Sequence, residues 1–96
     1  MKGMCIELRY AIKVTGVVQG VGFRYYVSQS ATHLGLTGWV KNEWDSSVSI
    51  EAQGSIWKLN RFLKDVQHGN RWAEVDPLKY QTIPDQHGER GFQIHF

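Results

Sequence analysis

At 96 residues, 42% hydrophobic and 21% charged, the chain reads as one globular domain over residues 1–96, long enough for a core and too short for two. Its net charge of +2 comes from scattered lysines and arginines that form no stripe able to track a nucleic-acid backbone. No apolar run spans a membrane, Glu7 and Arg9 deny "MKGMCIELRY" a secretory core, and the lone Cys5 excludes an internal disulfide or multi-cysteine zinc site, so the expectation is a cytoplasmic protein away from membranes.

From Ile6 to Val14 the residues alternate: Ile6, Leu8, Tyr10, Ile12 and Val14 share one face, and Glu7, Arg9, Ala11 and Lys13 the other. That is a strand with one buried and one wetter face, and Cys5 just before it reads as a small apolar filler. The glycine-rich stretch "TGVVQGVGFRYY" follows at residues 15–26. Phe23, Tyr26, Val27, Ala31 and Leu34 then recur at helical spacing and Gly35 supplies a cap, predicting a helix from about Phe23 to Leu34. "TGWVKN" is a second strand. Val48, Ile50 and Ala52 mark a third, joined to it by the hairpin "EWDSS".

Ser55 is placed to cap a second helix, with Ile56, Leu59, Phe62, Leu63 and Val66 as its apolar stripe and an end near Gly69. "AEVDPLKYQTI" is a fourth extended segment that Pro77 assigns to an edge or a break, and "GFQIHF" closes the chain with Phe92, Ile94 and Phe96 on one side. The order β-α-β-β-α-β with a short terminal strand predicts an α+β, ferredoxin-like fold: an antiparallel sheet with two helices on one face. In that arrangement the loop after Val14 and the strand end at Asn42 meet at one end of the sheet. With one strand inserted between them their axes lie about 10 Å apart.

Three glycines in the loop, Gly16, Gly20 and Gly22, allow successive amides to turn inward as a nest for an anion, and the start of the first helix adds its positive end to the same field. Arg24, in the first helical turn, has a planar fork that grips two oxyanion oxygens at once. Such turns also occur as plain strand-to-helix connections. "GVVQGVGFR" lacks the Lys-Ser/Thr ending of a P-loop and fails the dinucleotide spacing.

"GVVQGVGFRYY" followed by "LGLTGWVKN" resembles the acylphosphatase signature, a VQGVGFR segment followed by GWV-x-N, with a similar layout over essentially the whole chain. The resemblance implies a small, cofactor-free and metal-independent hydrolase that splits acyl phosphates into a carboxylate and inorganic phosphate. It implies that Arg24 binds the phosphoryl group with loop amides of Val17, Val18, Gln19, Gly20, Val21 and Gly22, and that Asn42 positions the attacking water. Val17 stands where many relatives carry a basic residue, and Ser46 where a glycine is common; both bear on affinity and rate. A carboxylate leaving group, with a pKa of about 4, needs no enzyme acid, so a site without histidine, carboxylate pair or metal is chemically sufficient.

The remaining polar and aromatic residues have structural readings. His33, His68, His87 and His95 share no ligand spacing, Glu43 and Asp45 are solvated hairpin carboxylates, and Gln19 braces the loop through its side chain. Trp39 is expected in the core, Trp44 on the hairpin rim, and Trp57 and Trp72 as packing or flanking residues. The alternative to an enzyme is a non-catalytic anion- or acyl-phosphate-binding module on the same fold. An RNA-recognition motif has the same element order but needs stacking aromatics on its third strand, where this chain reads "SVSIEAQG". The expected partners are a small acyl phosphate and phosphate as product, with no nucleic acid and a monomeric chain.

Overall fold

The computed structural model describes residues 6–96, so the reading of Cys5 lies outside the described residues. The strands are β1 (Glu7–Val14), β2 (Gly16–Val17), β3 (Thr37–Asn42), β4 (Val48–Ser55), β5 (Glu74–Val75), β6 (Lys79–Ile83) and β7 (Phe92–His95); the helices are α1 (Phe23–His33) and α2 (Ile56–His68). β6-β1-β4-β3-β7 form one sheet, and β2 pairs with β5 in a small ladder of its own. Pro77 lies in the break between β5 and β6, where it removes no ladder donor.

The helices end and begin where the sequence places them. α1 stops in a Schellman turn: Gly35 takes φ 70°, its amide donates to Thr32 at 3.0 Å, and Leu36 N–H reaches Ala31 at 2.9 Å. Ser55 occupies the N-cap of α2 in extended backbone, but its hydroxyl makes no capping bond and is buried without a partner. Phe23, Val27 and Ala31 of α1 and Leu59, Phe62 and Val66 of α2 are buried against Tyr10, Ile12 and Val14 of β1, Val40 of β3, and Val48, Ile50 and Ala52 of β4. Each fully buried Val, Leu or Phe in such a layer contributes about 1.5–3 kcal/mol. No helix among the described residues is long and apolar enough to cross a membrane.

The terminal strand departs from an antiparallel sheet. β7 pairs parallel with β3, Gly38 opposite Phe92 and Lys41 opposite His95, whereas β1–β4, β1–β6 and β3–β4 are antiparallel. The cause is the connection 84–91, which carries the chain from the β6 edge to the β7 edge. Four inter-strand spacings amount to about 19 Å, and eight extended residues reach about 26 Å. The crossing is fastened by Gln53, which exchanges hydrogen bonds with the Gln86 backbone at 2.8 and 2.9 Å, by Arg9 on Glu89, and by Gly38 N–H on Gly91 at 3.1 Å.

Trp39 is the second departure. It is half-buried on the sheet face away from the helices, stacked on His95 at 5.3 Å, because the small-to-medium residues of β3, Gly38 and Val40, are the ones that pack inward. Trp57 and Trp72 are exposed, each beside a cationic neighbour, Lys58 and Arg71.

Candidate active site

β4 lies between β1 and β3, so the loop leaving β1 and the Asn42 end of β3 are brought to the same end of the sheet. The loop is held on three sides. Val18 buries its side chain in the core, Gly16 and Val17 pair with Val75 and Glu74, and Gln19 Nε2 donates to the carbonyls of Glu43 and Ser47, both at 2.8 Å. The last pair ties the glycine loop to the β3–β4 turn, the bracing read for Gln19 from the sequence.

The glycines meet different demands. Gly16 has φ 118° and lies so close to β5 that a Cβ would strike the Glu74 carbonyl, so it serves the β2–β5 ladder. Gly20 and Gly22 have φ 73° and 77° with no backbone near, and their requirement is the left-handed turn that aims the loop. Gly22 is also the N-cap of α1, which has neither a side-chain cap nor an acidic residue in its first turn. The positive end of α1 therefore remains unneutralised beside the loop.

A cleft of about 280 Å³ opens here, bounded by Val18, Gly20, Gly22, Arg24 and Asn42, with Tyr25, Ile94 and Phe96 along its apolar side. Arg24 Nη1 donates to the His95 carbonyl at 2.9 Å, and its guanidinium lies 4.8 Å from the centre of the Phe96 ring. One carbonyl and one aromatic face orient the fork, and no carboxylate among the described residues pairs with its charge. Asn42 brings a buried Oδ1 with no hydrogen-bond partner among the described residues, an acceptor suited to a water proton. Val17, Gln19 and Val21 do not line the cleft; Val17 lies in the β2–β5 ladder.

The turn beyond Asn42 is closed by Glu43 N–H on Ser47 at 2.8 Å, with Ser46 at φ 76°, the conformation for which a glycine is suited. The turn therefore survives the serine at a cost in backbone strain. Asp45 is held at a pKa of about 2, chiefly by the Ser47 hydroxyl and amide and then by Lys13 at 3.3 Å. So weakly basic a carboxylate is unsuited to take a proton from water near neutral pH. Among the described residues, no three His, Cys, Asp or Glu side chains gather as metal ligands. A second hollow of about 370 Å³ lies on the open sheet face near Lys13, Trp39 and Lys79, where β4 presents Ser49 and Glu51 and no stacking aromatic.

Sequence reasoning missed the His95 carbonyl, Phe96 and the neighbouring Asn70 as parts of this end of the molecule. The first two arrive only because β7 runs parallel to β3. The alternation of Phe92, Ile94 and Phe96 marked a strand without giving its direction.

A family model described as Acylphosphatase matches residues 10–94. The chain is 46% identical over 86 residues to an acylphosphatase of Clostridium acetobutylicum, covering 90% of this chain and 94% of that relative. It is similar to the crystal structure of acylphosphatase from Bacillus subtilis, with a TM-score of 0.89 at 38% identity over 93% of this chain and 99% of that one. It is also similar to one part of HypF from T. kodakarensis, with a TM-score of 0.81 at 32% identity, covering 95% of this chain and 12% of the larger protein.

Proposed function

The chain belongs to the acylphosphatase family and is an acylphosphatase, and we propose that the cleft between the glycine loop and Asn42 is where it hydrolyses acyl phosphates. The observation that carries this assignment is the meeting in one cleft of the uncapped α1 N-terminus, the unpaired charge of Arg24 and the free acceptor of Asn42. The phosphoryl oxygens sit against the loop amides and the Arg24 fork, which neutralise charge as the phosphoryl group passes to water. Asn42 Oδ1 accepts a hydrogen bond from that water and holds it in line with the bond to be broken.

Water oxygen bonds to phosphorus while the bond from phosphorus to the acyl oxygen breaks, and the carboxylate leaves with the electron pair. An amide is too weakly basic to take the water proton, so the proton passes to a phosphoryl oxygen of the substrate and leaves with inorganic phosphate. That one chain lines the whole cleft supports the reading that a monomer suffices for the reaction.

The test is hydrolysis of a simple aromatic acyl phosphate without added metal, with and without inorganic phosphate. Turnover that phosphate inhibits competitively, and that a chelator leaves unchanged, supports the assignment. Turnover insensitive to phosphate would move the reaction away from this cleft. Phosphate binding without turnover would leave an anion-binding module that had lost the chemistry.

A further inference from the structure

β4 descends from the site end of the sheet and α2 climbs back to it, so the residues that follow α2 pass beside the glycine loop. There Asn70 Nδ2 donates to the Val21 carbonyl at 2.7 Å and lies 3.7 Å from the point where a Cβ on Gly22 would project. The half-buried Asn70 closes its own turn through Ala73 N–H at 3.2 Å, and its Oδ1 is buried with no partner. Reversing the side-chain amide would set two acceptors, Asn70 Oδ1 and the Val21 carbonyl, against each other. The donor end therefore faces the loop.

The peptide joining Val21 to Gly22 is trans, so its carbonyl and its N–H point in opposite directions. With the carbonyl held outward by Asn70, the Gly22 N–H turns to the other side of the loop. Gly22 lines the cleft and Val21 does not. Glycine at the following position permits this peptide to flip at little steric cost, and a flipped peptide would present a carbonyl oxygen where the phosphoryl group needs a donor. We propose that Asn70 is a positioning residue of the phosphoryl site: it locks the Val21–Gly22 peptide in the orientation that displays the Gly22 N–H to the substrate. The inference rests on the phosphate-binding reading of the cleft and extends it to a residue outside the loop, Arg24 and Asn42.

The experiment is a titration of the 15N-labelled chain with inorganic phosphate, repeated on Asn70→Leu and Asn70→Ala, alongside acyl phosphate kinetics. In the parent chain the Gly22 amide resonance moves on phosphate addition together with that of Gly20. In the variants phosphate binds roughly ten- to a hundredfold more weakly, the size of one hydrogen bond to a charged group, and KM rises more than kcat falls. The Gly22 response is lost while the Gly20 response remains. Variants that melt at lower temperature but bind phosphate as the parent does, with the Gly22 response intact, would overturn the proposal and leave Asn70 a structural residue. Should neither variant fold, the parent titration decides: a response at Gly20 without one at Gly22 overturns the role of Asn70 alone. Silence at every loop amide overturns the phosphate-binding reading and this inference with it.

Discussion

Two arginines at opposite ends of the sheet carry the same group to opposite ends. Arg9 is 0% exposed and its fork is engaged on every nitrogen: Nε on Glu51 at 2.8 Å, Nη1 on Glu89 at 2.7 Å and on Gln53 at 3.1 Å, and Nη2 on Glu89 at 3.2 Å. Arg24 is half-exposed, and among the described residues a single carbonyl and an aromatic ring hold it, with no carboxylate pairing its charge. Burial works against the Arg9 charge, and the hydrogen bonds it donates to Glu89 and Glu51, with the charges of both, overcome it, so its pKa lies above the ordinary value. Arg9 has no charge left to offer a ligand. Arg24 is oriented without being neutralised, which suits a group meant to meet an oxyanion.

The contrast makes unequal demands on substitution. Arg24→Lys keeps the charge and loses the fork, and the expected outcome is a folded protein whose turnover falls by roughly three orders of magnitude, with inhibition by phosphate weakened. Parental turnover in steady-state assays of this variant would remove Arg24 from the mechanism. Asn42→Ala lowers kcat by roughly two to three orders of magnitude while phosphate inhibition persists; loss of phosphate inhibition as well would make Asn42 part of the phosphate cradle.

Arg9→Met does the reverse. It leaves two carboxylates facing each other under the crossing segment, costs about 3 kcal/mol by denaturant titration, and leaves kcat of the folded protein near the parental value. Equal stability would reduce the Arg9 cluster to a surface feature.

Acid sharpens the same contrast. The hydrogen bond from Arg9 holds the Glu89 carboxyl below its ordinary 4.5, so the stabilisation it gives is complete above that value and is lost as pH falls through the lower folded-state pKa. Melting temperature should hold on acidification toward pH 4.5 and fall below it, with a shallower fall in Glu89→Gln. The smallest effect belongs to Ser46→Gly, which relieves the left-handed strain and stabilises by about 0.5–1 kcal/mol, seen as a small rise in melting temperature.

Local signals made most of the fold legible. Period-3.6 stripes and Gly35 delimited α1, alternation gave β1 and β4, "TGWVKN" marked β3, and Pro77 marked the break before β6. In the cleft, Gly20, Gly22 and Arg24 were legible from the backbone freedom and the planar fork they supply, whereas Asn42 was pointed to only by the resemblance to the acylphosphatase signature. The direction of β7 was not, since alternation is the same in either sense and only the crossing at 84–91 decides it. Trp39 was expected in the core, although it is Gly38 and Val40 of the same strand that pack inward. Arg9 was placed on a wetter face, and a segment some eighty positions later in the chain covers it. Asn70 gave no sign at all, because its side chain meets the loop only through a carbonyl 49 positions away.

The bond from Arg24 to the His95 carbonyl spans 71 positions and depends on the parallel pairing of β7 with β3. Contacts so distant in sequence carry a larger loop-closure cost than the local contacts of a helix or a turn. The glycine loop and α1 can therefore take shape during folding before the guanidinium has its anchor. Capacity to bind phosphate should appear after helical structure in a refolding time course, which makes ligand binding a clock for the docking of the final strand.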